Sequence, residues 1–291
     1  TLGVVGESGC GKSTLGRVVL NLIEATDGEV IFQGENIAGI KGNRQRELRK
    51  NLQIIFQDPF SSIDPRMTVS EIIEEPLLLF NLHPEKTELE KRVSELMDAV
   101  GLAKRLTYSY PHELDGGRRQ RIGIARALAL DPEFIVCDEP VSALDVSIQA
   151  QVLNLLQDLQ EQHNLTYLFI THDLSVVKHI SDDILVMYLG QVVEKAPANE
   201  LFRLQMHPYT QALLSAIPSI KIGEKKKRIL LKGEITSPID PKPGCRFAPR
   251  CKFADERCYC TVCTLEEALP GHFVACHKYQ ELAKQKEGKI S

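Results

Sequence analysis

The chain has 291 residues, of which 43% are hydrophobic, 25% charged and 6% aromatic. These values are ordinary for a folded protein and exclude wholesale disorder and a collagen-like repeat. The 35 basic and 39 acidic side chains give a net charge of −4, which argues against nucleic acid as a partner because such proteins usually carry a basic face. No apolar run approaches the roughly 18 residues needed to cross a bilayer, so we expect any membrane role to come through a partner.

Strand-like and helix-like segments alternate through the first two hundred residues. The predicted strands are Leu2–Val5, Glu29–Phe32, Gln53–Phe56, Phe134–Cys137, Tyr167–Ile170 and Ile184–Tyr188. The predicted helices between them are Lys12–Leu22, Ile122–Leu130 and Ile148–Gln162. This alternation favours an α/β fold with a mostly parallel sheet covered by helices.

Two stretches depart from this alternation. Residues 58–115 contain helical patterns alone (Val69–Phe80 and Glu88–Val100), which predicts a helical insertion. From about residue 216 the chain is rich in proline, and six of its eight cysteines follow position 244. We therefore expect a core of residues 1–57 and 116–215, a helical subdomain of residues 58–115, and a Pro/Cys-rich C-terminal extension of residues 216–291.

The first predicted strand begins directly after Thr1, without a charged and apolar leader. This pattern predicts that there is no signal peptide. It also predicts that the N-terminal strands of the fold are missing from the chain.

The clearest motif follows that strand. It matches G-x-x-x-x-G-K-[ST] and reads Gly6-Glu7-Ser8-Gly9-Cys10-Gly11-Lys12-Ser13. Glycines allow backbone N–H groups to converge on phosphate oxygens, and the following helix adds positive potential at its N-terminus. We expect the loop and Thr14 to bind ATP, with Lys12 on the terminal phosphates and Ser13 on Mg²⁺. A plain glycine-rich turn is the alternative.

A pair of carboxylates follows the predicted strand Phe134–Cys137. Asp138 could hold Mg²⁺, and Glu139 could orient or deprotonate the attacking water. Helix capping is the alternative role for such a pair. Together with the phosphate loop, the pair predicts nucleotide hydrolysis.

Four further motifs define the class. The chain contains Gln57 after a strand, Asp115-Gly116-Gly117-Arg118 at the start of a helix, Ser142-Ala143-Leu144-Asp145, and Thr171-His172-Asp173. In this order they resemble the glutamine loop, signature, aspartate loop and switch histidine of ATP-binding cassette (ABC) proteins, which are phosphate-loop NTPases. The resemblance implies that Glu139, His172 and Gln57 are catalytic, that Ser13, Gln57 and Asp138 bind Mg²⁺, and that Asp115, Gly116, Gly117 and Arg118 complete the site of a partner.

Longer segments narrow the resemblance to the ATP-binding subunits of dipeptide and oligopeptide importers. They include Tyr110-Pro111-His112-Glu113-Leu114, Val141 to Ser147, His207-Pro208-Tyr209-Thr210 and Gly244-Cys245-Arg246-Phe247. The resemblance implies a peripheral subunit at the cytoplasmic face of the cell membrane. Its partners would be a second homologous ATPase, forming a heterodimer, two membrane permease subunits and an external solute-binding protein. The cargo could be dipeptides, longer peptides or related solutes.

Two residues of the signature depart from the family pattern and change its charge. The usual signature serine is Asp115 here, and the usual glutamine is Arg118. An ionised aspartate would repel a γ-phosphate that a serine would bind. We interpret this signature as completing a weakened site on the partner; a change without functional meaning is the alternative.

The cysteine-rich tail also resembles the family. Cys245, Cys251, Cys258 and Cys276 match a pattern in which relatives hold an iron–sulfur cluster. Four thiolates suit a [4Fe-4S] cluster or Zn²⁺, and the same cysteines could instead be reduced thiols or disulfides. Cys260 and Cys263 compete as ligands.

Two other functions fit parts of the pattern. One is a soluble ABC-type ATPase acting on nucleic acid or ribosomes, although such proteins usually carry two cassettes or a long coiled-coil insertion. The other is a degenerate, non-catalytic nucleotide-binding subunit, which Asp115 favours and which Glu139 and His172 oppose.

Overall fold

The computed structural model describes residues 1–217, 228–231, 233, 239 and 241–282. The chain divides into two compact units, one of residues 1–12 and 170–291 and the other of residues 13–169. Parts of the predicted C-terminal extension (218–227, 232, 234–238, 240 and 283–291) lie outside the described residues. The predicted boundaries of core, helical subdomain and extension remain a prediction.

The described residues contain strands and helices throughout both units. The strands are β1 Leu2–Val5, β2 Ile31–Phe32, β3 Glu35–Asn36, β4 Leu52–Ile55, β5 Phe134–Asp138, β6 Thr166–Ile170, β7 Asp183–Tyr188, β8 Gln191–Pro197, β9 Glu266–Leu269 and β10 His272–Val274. The α-helices are α1 Lys12–Val19, α2 Asn43–Asn51, α3 Pro59–Ser62, α4 Val69–Leu79, α5 Lys86–Ala99, α6 Gly116–Leu128, α7 Val146–His163, α8 Leu174–Ile180, α9 Ala198–Arg203, α10 Pro208–Ser215 and α11 Glu256–Cys260. None of the helices in this part of the chain combines the length and apolarity needed to cross a membrane.

In the unit of residues 13–169, the strand order is β4-β5-β6. β4 and β5 are parallel, and Ile55 lies opposite Cys137 at their carboxyl ends. β2 and β3 form a separate antiparallel hairpin. The predicted glutamine Gln57 lies two residues after β4, and the predicted acidic pair consists of the last residue of β5, Asp138, and the next residue, Glu139.

The helical part of the same unit is built around α4. Thr68 caps this helix and accepts a hydrogen bond from the N–H of Glu71, whose carboxylate in turn accepts from the N–H of Thr68. α4 packs against α5 and α6, and it buries Ile73 and Leu77 completely. The predicted helical patterns of residues 58–115 are therefore observed as helices with a shared apolar face.

In the unit of residues 1–12 and 170–291, β1 pairs in parallel with β7. β8 then pairs antiparallel with β7 and β10, and β10 pairs antiparallel with β9. Tyr188, Tyr209 and Phe247 form an aromatic cluster in its core, with ring centroids 4.7 to 5.4 Å apart. The parallel pairs agree with the predicted fold class, whereas β8, β9 and β10 were not predicted.

Candidate nucleotide site

The phosphate loop connects the end of β1 at Val5 to the start of α1 at Lys12. A Cβ atom at Gly6 would collide with the main-chain oxygen of Met187, and the φ of Gly11 is 101°. Both positions therefore require glycine. The predicted strand, glycine loop and helix start are all observed, so the local context fits a phosphate-binding motif.

Lys12 is almost fully buried, and its side chain turns back onto the loop. Its Nζ atom donates hydrogen bonds to the main-chain oxygens of Gly6, at 2.9 Å, and Glu7, at 3.1 Å. The ammonium group is thus held among the loop carbonyls, where a phosphate oxygen would offer it a stronger, charged acceptor.

The predicted Mg²⁺ and catalytic residues of the other unit form two hydrogen-bonded pairs. Ser13 Oγ donates to Asp138 Oδ1 at 2.8 Å, and Gln57 Nε2 donates to Glu139 Oε2 at 2.9 Å. The strand register explains the second pair, because Gln57 and Glu139 each follow by two residues the opposed pair Ile55 and Cys137. The structure therefore brings together residues that are up to 125 positions apart.

Glu139 also has an unusual backbone conformation. Its φ is 48°, in the left-handed region that non-glycine residues rarely adopt. The N–H and Oγ of Ser142 both donate to the main-chain oxygen of Glu139 and hold this turn. Such strain commonly marks functional residues.

The signature segment begins α6. Asp115 caps the helix by accepting a hydrogen bond from the N–H of Arg118 at 2.8 Å. Its Oδ2 atom also lies 3.3 Å from Arg118 Nη1, and both side chains are about half exposed. A Cβ at Gly117 would lie 2.6 Å from Ile148 Cγ2, so the signature glycine packs against α7, which begins directly after Asp145.

The predicted switch histidine follows β6 directly. Thr171 is buried and its N–H donates to the oxygen of Val4, whereas His172 is exposed. Asp173 caps α8 by accepting from the N–H groups of Ser175 and Val176. His172 therefore projects from a tightly held turn.

The cysteines of the tail converge on one cavity. All eight cysteines of the chain are free thiols, and the cavity is lined by Cys245, Cys251, Cys258, Cys263 and Cys276 together with His207 and His277. Cys263 joins the four predicted ligands, whereas Cys260 is exposed. A hydrogen bond from Cys263 lowers the pKa of Cys245 to about 4, and burial raises the pKa of Cys276 to about 12. Within the described residues, no three Cys, His, Asp or Glu side chains are grouped so as to hold a metal ion.

Two residues that contact the phosphate loop were not predicted as site residues. Tyr209 Oη accepts a hydrogen bond from the N–H of Glu7 at 2.8 Å, and Arg250 binds the carboxylate of Glu7 at 2.7 and 3.2 Å. Tyr209 lies in a segment that served only to narrow the family, and Arg250 follows three residues after another such segment, which ends at Phe247. Their long separation from Glu7 along the chain left no local pattern that could reveal these contacts.

Comparison with known proteins identifies the class of protein that carries this site. Residues 1–142 match the ABC transporter family, and residues 193–258 match the oligopeptide/dipeptide transporter C-terminal region. The chain is 54% identical to the oligopeptide transport ATP-binding protein AppF of Bacillus subtilis, over 96% of this chain and 85% of that protein. It is 52% identical to the oligopeptide transport ATP-binding protein OppF of Salmonella typhimurium, over 97% and 85%.

The solved structures that resemble this chain are also ABC proteins. The dimeric ATP-binding cassette MJ0796, in a post-hydrolysis state with ADP and Pi, is 30% identical with a TM-score of 0.61, over 68% of this chain and 84% of that chain. The cbiO1 protein of Clostridium perfringens, part of the ABC transporter complex cbiONQ, is 26% identical with a TM-score of 0.63, over 69% and 78%. The chain therefore belongs to the ABC transporter family, in the group of ATP-binding proteins that carry the oligopeptide/dipeptide transporter C-terminal region. The predicted family and fold class are confirmed.

Proposed function

We propose that this protein is the ATP-hydrolysing subunit of an importer for dipeptides, oligopeptides or related solutes. The observation that carries the proposal is the pairing of Ser13 with Asp138 and of Gln57 with Glu139. It assembles the hydroxyl, carboxylates and amide that ATP hydrolysis requires from residues far apart in the sequence. The 54% identity to AppF of Bacillus subtilis, an oligopeptide transport ATP-binding protein, supports peptides as the cargo.

In this proposal the phosphate loop binds the triphosphate. Its backbone N–H groups and Lys12 contact the phosphates, and the loop residues involved are Gly6, Glu7, Ser8, Gly9, Cys10, Gly11, Lys12, Ser13 and Thr14. Lys12 exchanges its carbonyl acceptors for phosphate oxygens. His172 contacts the γ-phosphate from its turn after β6.

Mg²⁺ fits the oxygen ligands present, because it prefers hydroxyl, carboxylate and carbonyl oxygens and retains several waters. Ser13, Asp138 and Gln57 would hold it, and it would neutralise charge on the phosphates. Glu139 accepts a proton from the attacking water, and Gln57 fixes the direction of its carboxylate through the 2.9 Å hydrogen bond.

The proposed assembly has two ATPase subunits. MJ0796 is a dimeric cassette and cbiO1 is part of a transporter complex, which supports a second homologous ATPase and two permease subunits as partners. Asp115, Gly116, Gly117 and Arg118 would complete the partner's nucleotide site, with Asp145 beside them in the aspartate loop. An external solute-binding protein would deliver the cargo, and the subunit would lie at the cytoplasmic face of the membrane.

We also propose that Cys245, Cys251, Cys258 and Cys276 bind an iron–sulfur cluster, with zinc as the alternative metal. The thiol chemistry fits either group, and the four side chains line one cavity with Cys263. Among the described residues no three of these side chains are already grouped to hold a metal ion, so binding would require the thiols to draw together around the cavity. Iron and zinc analysis after anaerobic purification tests the proposal; metal-free protein would contradict it.

The test of the main proposal is the Glu139→Gln variant in the assembled complex. We expect it to bind ATP and to lower turnover by a factor of about a hundred to ten thousand, the usual contribution of a general base. Glu133→Gln, at the exposed position just before β5, is the matched control and should retain turnover. Equal turnover of the Glu139→Gln variant and the native protein would contradict the proposal.

A further inference from the structure

Arg250, in the segment of residues 193–258 that matches the oligopeptide/dipeptide transporter C-terminal region, contacts the phosphate loop directly. Its Nη1 and Nη2 atoms lie 2.7 and 3.2 Å from the two carboxylate oxygens of Glu7, although the residues are 243 positions apart. The Arg250 side chain is only 8% exposed and that of Glu7 is 24% exposed. A two-pronged ion pair with this degree of burial is stronger and more directional than one at the surface.

The position of Arg250 is fixed by contacts that do not involve the loop. It ends the short helical turn Ala248–Arg250, in which its N–H donates to the oxygen of Phe247. Phe247 is buried in the aromatic cluster with Tyr188 and Tyr209. The guanidinium group also lies 5.9 Å from the centre of the Tyr188 ring. These contacts position the arginine independently of its ion pair with Glu7.

The loop is held from its own side as well. The N–H of Glu7 donates to Tyr209 Oη at 2.8 Å, and burial raises the pKa of Tyr209, so the phenol stays neutral. The N–H of Gly190 donates to the oxygen of Cys10 at 2.8 Å. These bonds hold the loop backbone on either side of Gly9, and the Glu7 side chain extends from it to Arg250.

The charge of Glu7 needs such a partner. A carboxylate within a loop that binds phosphate would repel the ligand, and the repulsion is strong where water is partly excluded. Among the described residues, Arg250 makes no ion pair other than that with Glu7. Its positive charge therefore offsets this carboxylate, and the interaction with Glu7 raises the pKa of Arg250 still further.

We propose that Arg250 is a positioning residue for the phosphate loop, which sets the affinity for a nucleoside triphosphate by neutralising and orienting Glu7. The inference rests on the proposed function, because it assumes that the loop binds ATP. It assigns to the region matched as the oligopeptide/dipeptide transporter C-terminal region a direct effect on nucleotide binding. Arg250 does not touch the reacting atoms and is not a catalytic residue.

The experiment compares the native full-length chain with R250M, E7Q and the double variant, by equilibrium binding of ATP at low and high salt. We expect R250M to weaken ATP binding about tenfold, because it leaves the negative charge of Glu7 uncompensated beside the phosphates. The double variant should bind within about threefold of the native chain, because removing the carboxylate removes the repulsion. An arginine with only a structural role would show no such rescue, so equally weak binding by R250M and by the double variant would overturn the inference. Native ATP affinity in R250M would also overturn it.

Two further arms complete the test. R203M removes an exposed arginine that pairs with Glu200 at 2.8 Å and should leave ATP binding unchanged. R250K keeps the charge and loses the two-pronged contact, so it should weaken binding by about threefold; full loss of binding with R250K would overturn the inference.

Failure of the proposed function has a different signature. A native chain that does not bind ATP, or a Lys12→Ala variant that binds it normally, would refute the phosphate-loop assignment itself. In the assembled complex, R250M should raise KM for ATP and leave kcat within about twofold, since the arginine acts on binding and not on the chemical step. A fall in kcat at unchanged KM would overturn the inference and leave the ATPase assignment intact.

Discussion

Replacing Asp115 by serine should raise the ATPase activity of the assembled complex. In the proposed dimer this side chain faces the γ-phosphate bound by the partner, where an ionised carboxylate opposes closure. At about 4 Å, a full charge would repel another by about 1 to 4 kcal/mol for effective dielectric constants between 80 and 20. Asp115 is 59% exposed, which places the repulsion toward the lower value.

Arg118 reduces this repulsion further. Its Nη1 atom lies 3.3 Å from Asp115 Oδ2, so part of the carboxylate charge is already offset. We therefore expect D115S to improve the closed state by about 1 kcal/mol, which corresponds to about a fivefold increase in turnover at limiting ATP. Serine and asparagine both cap helices as well as aspartate, so neither D115S nor D115N should unfold α6.

Replacing Arg118 should change ATP turnover in the opposite direction. R118Q alone should lower turnover, because it removes the positive charge that offsets the carboxylate of Asp115. R118Q added to D115S should have little effect, because that carboxylate is then absent. The control is D131N, which removes an exposed carboxylate paired with Arg92 at 2.6 Å in the same unit. The assay is ATP turnover of the complex across a salt series, with thermal unfolding of each variant. Turnover that D115S, D115N and R118Q all leave at the native level would refute the reasoning.

Three other changes test the loop, the core and the proposed metal site. Gly6→Ala should abolish ATP binding and lower the thermal midpoint, because its Cβ would collide with the main-chain oxygen of Met187; native binding would contradict this. Leu77→Ala should cost about 2 to 5 kcal/mol in chemical denaturation, since Leu77 is fully buried, whereas Leu78→Ala, at a side chain that is 59% exposed, should cost less than about 1 kcal/mol. In the proposed metal site, Cys245→Ser should lower the iron and zinc content of the protein, whereas Cys260→Ser should not; equal metal in both variants would remove Cys245 from the proposed ligand set.

The sequence predicted the parts of the fold that have a local pattern. The glycine loop, the buried strands β1, β4, β5, β6 and β7, and the helices α4 and α5 agree closely with their predicted positions. The apolar pattern alone placed α6 from Ile122, because two glycines and two arginines conceal the period of its first turn, whereas the signature motif placed the start of the helix correctly, at Gly116. Asp115, which the sequence analysis treated only as a signature residue, is the cap that starts this helix.

The antiparallel strands β8, β9 and β10 could not be predicted from a local sequence pattern. β8 contains Glu194, which is completely buried and would normally exclude a core position. Its carboxylate accepts hydrogen bonds from the N–H groups of Met206 and His207 and lies 2.8 Å from His272 Nε2. Those partners come from the turn before α10 and from β10, so the burial of this charge depends on tertiary contacts that no window of sequence contains. β10, in turn, is a strand of three residues and carries too little pattern to be recognised.

The phosphate loop depends both on its local sequence and on contacts with distant residues. Its conformation follows from glycines within the motif, which is why the sequence alone could place it. Its charge balance does not, because the carboxylate of Glu7 is compensated by Arg250 and its amide is bound by Tyr209, which lie 243 and 202 positions later. The bonds that hold these partners, such as that from the N–H of Arg250 to Phe247, lie beside the cysteine-lined cavity. If Arg250 acts as proposed, two chains with the same loop motif should differ in nucleotide affinity according to the C-terminal region that contacts the loop.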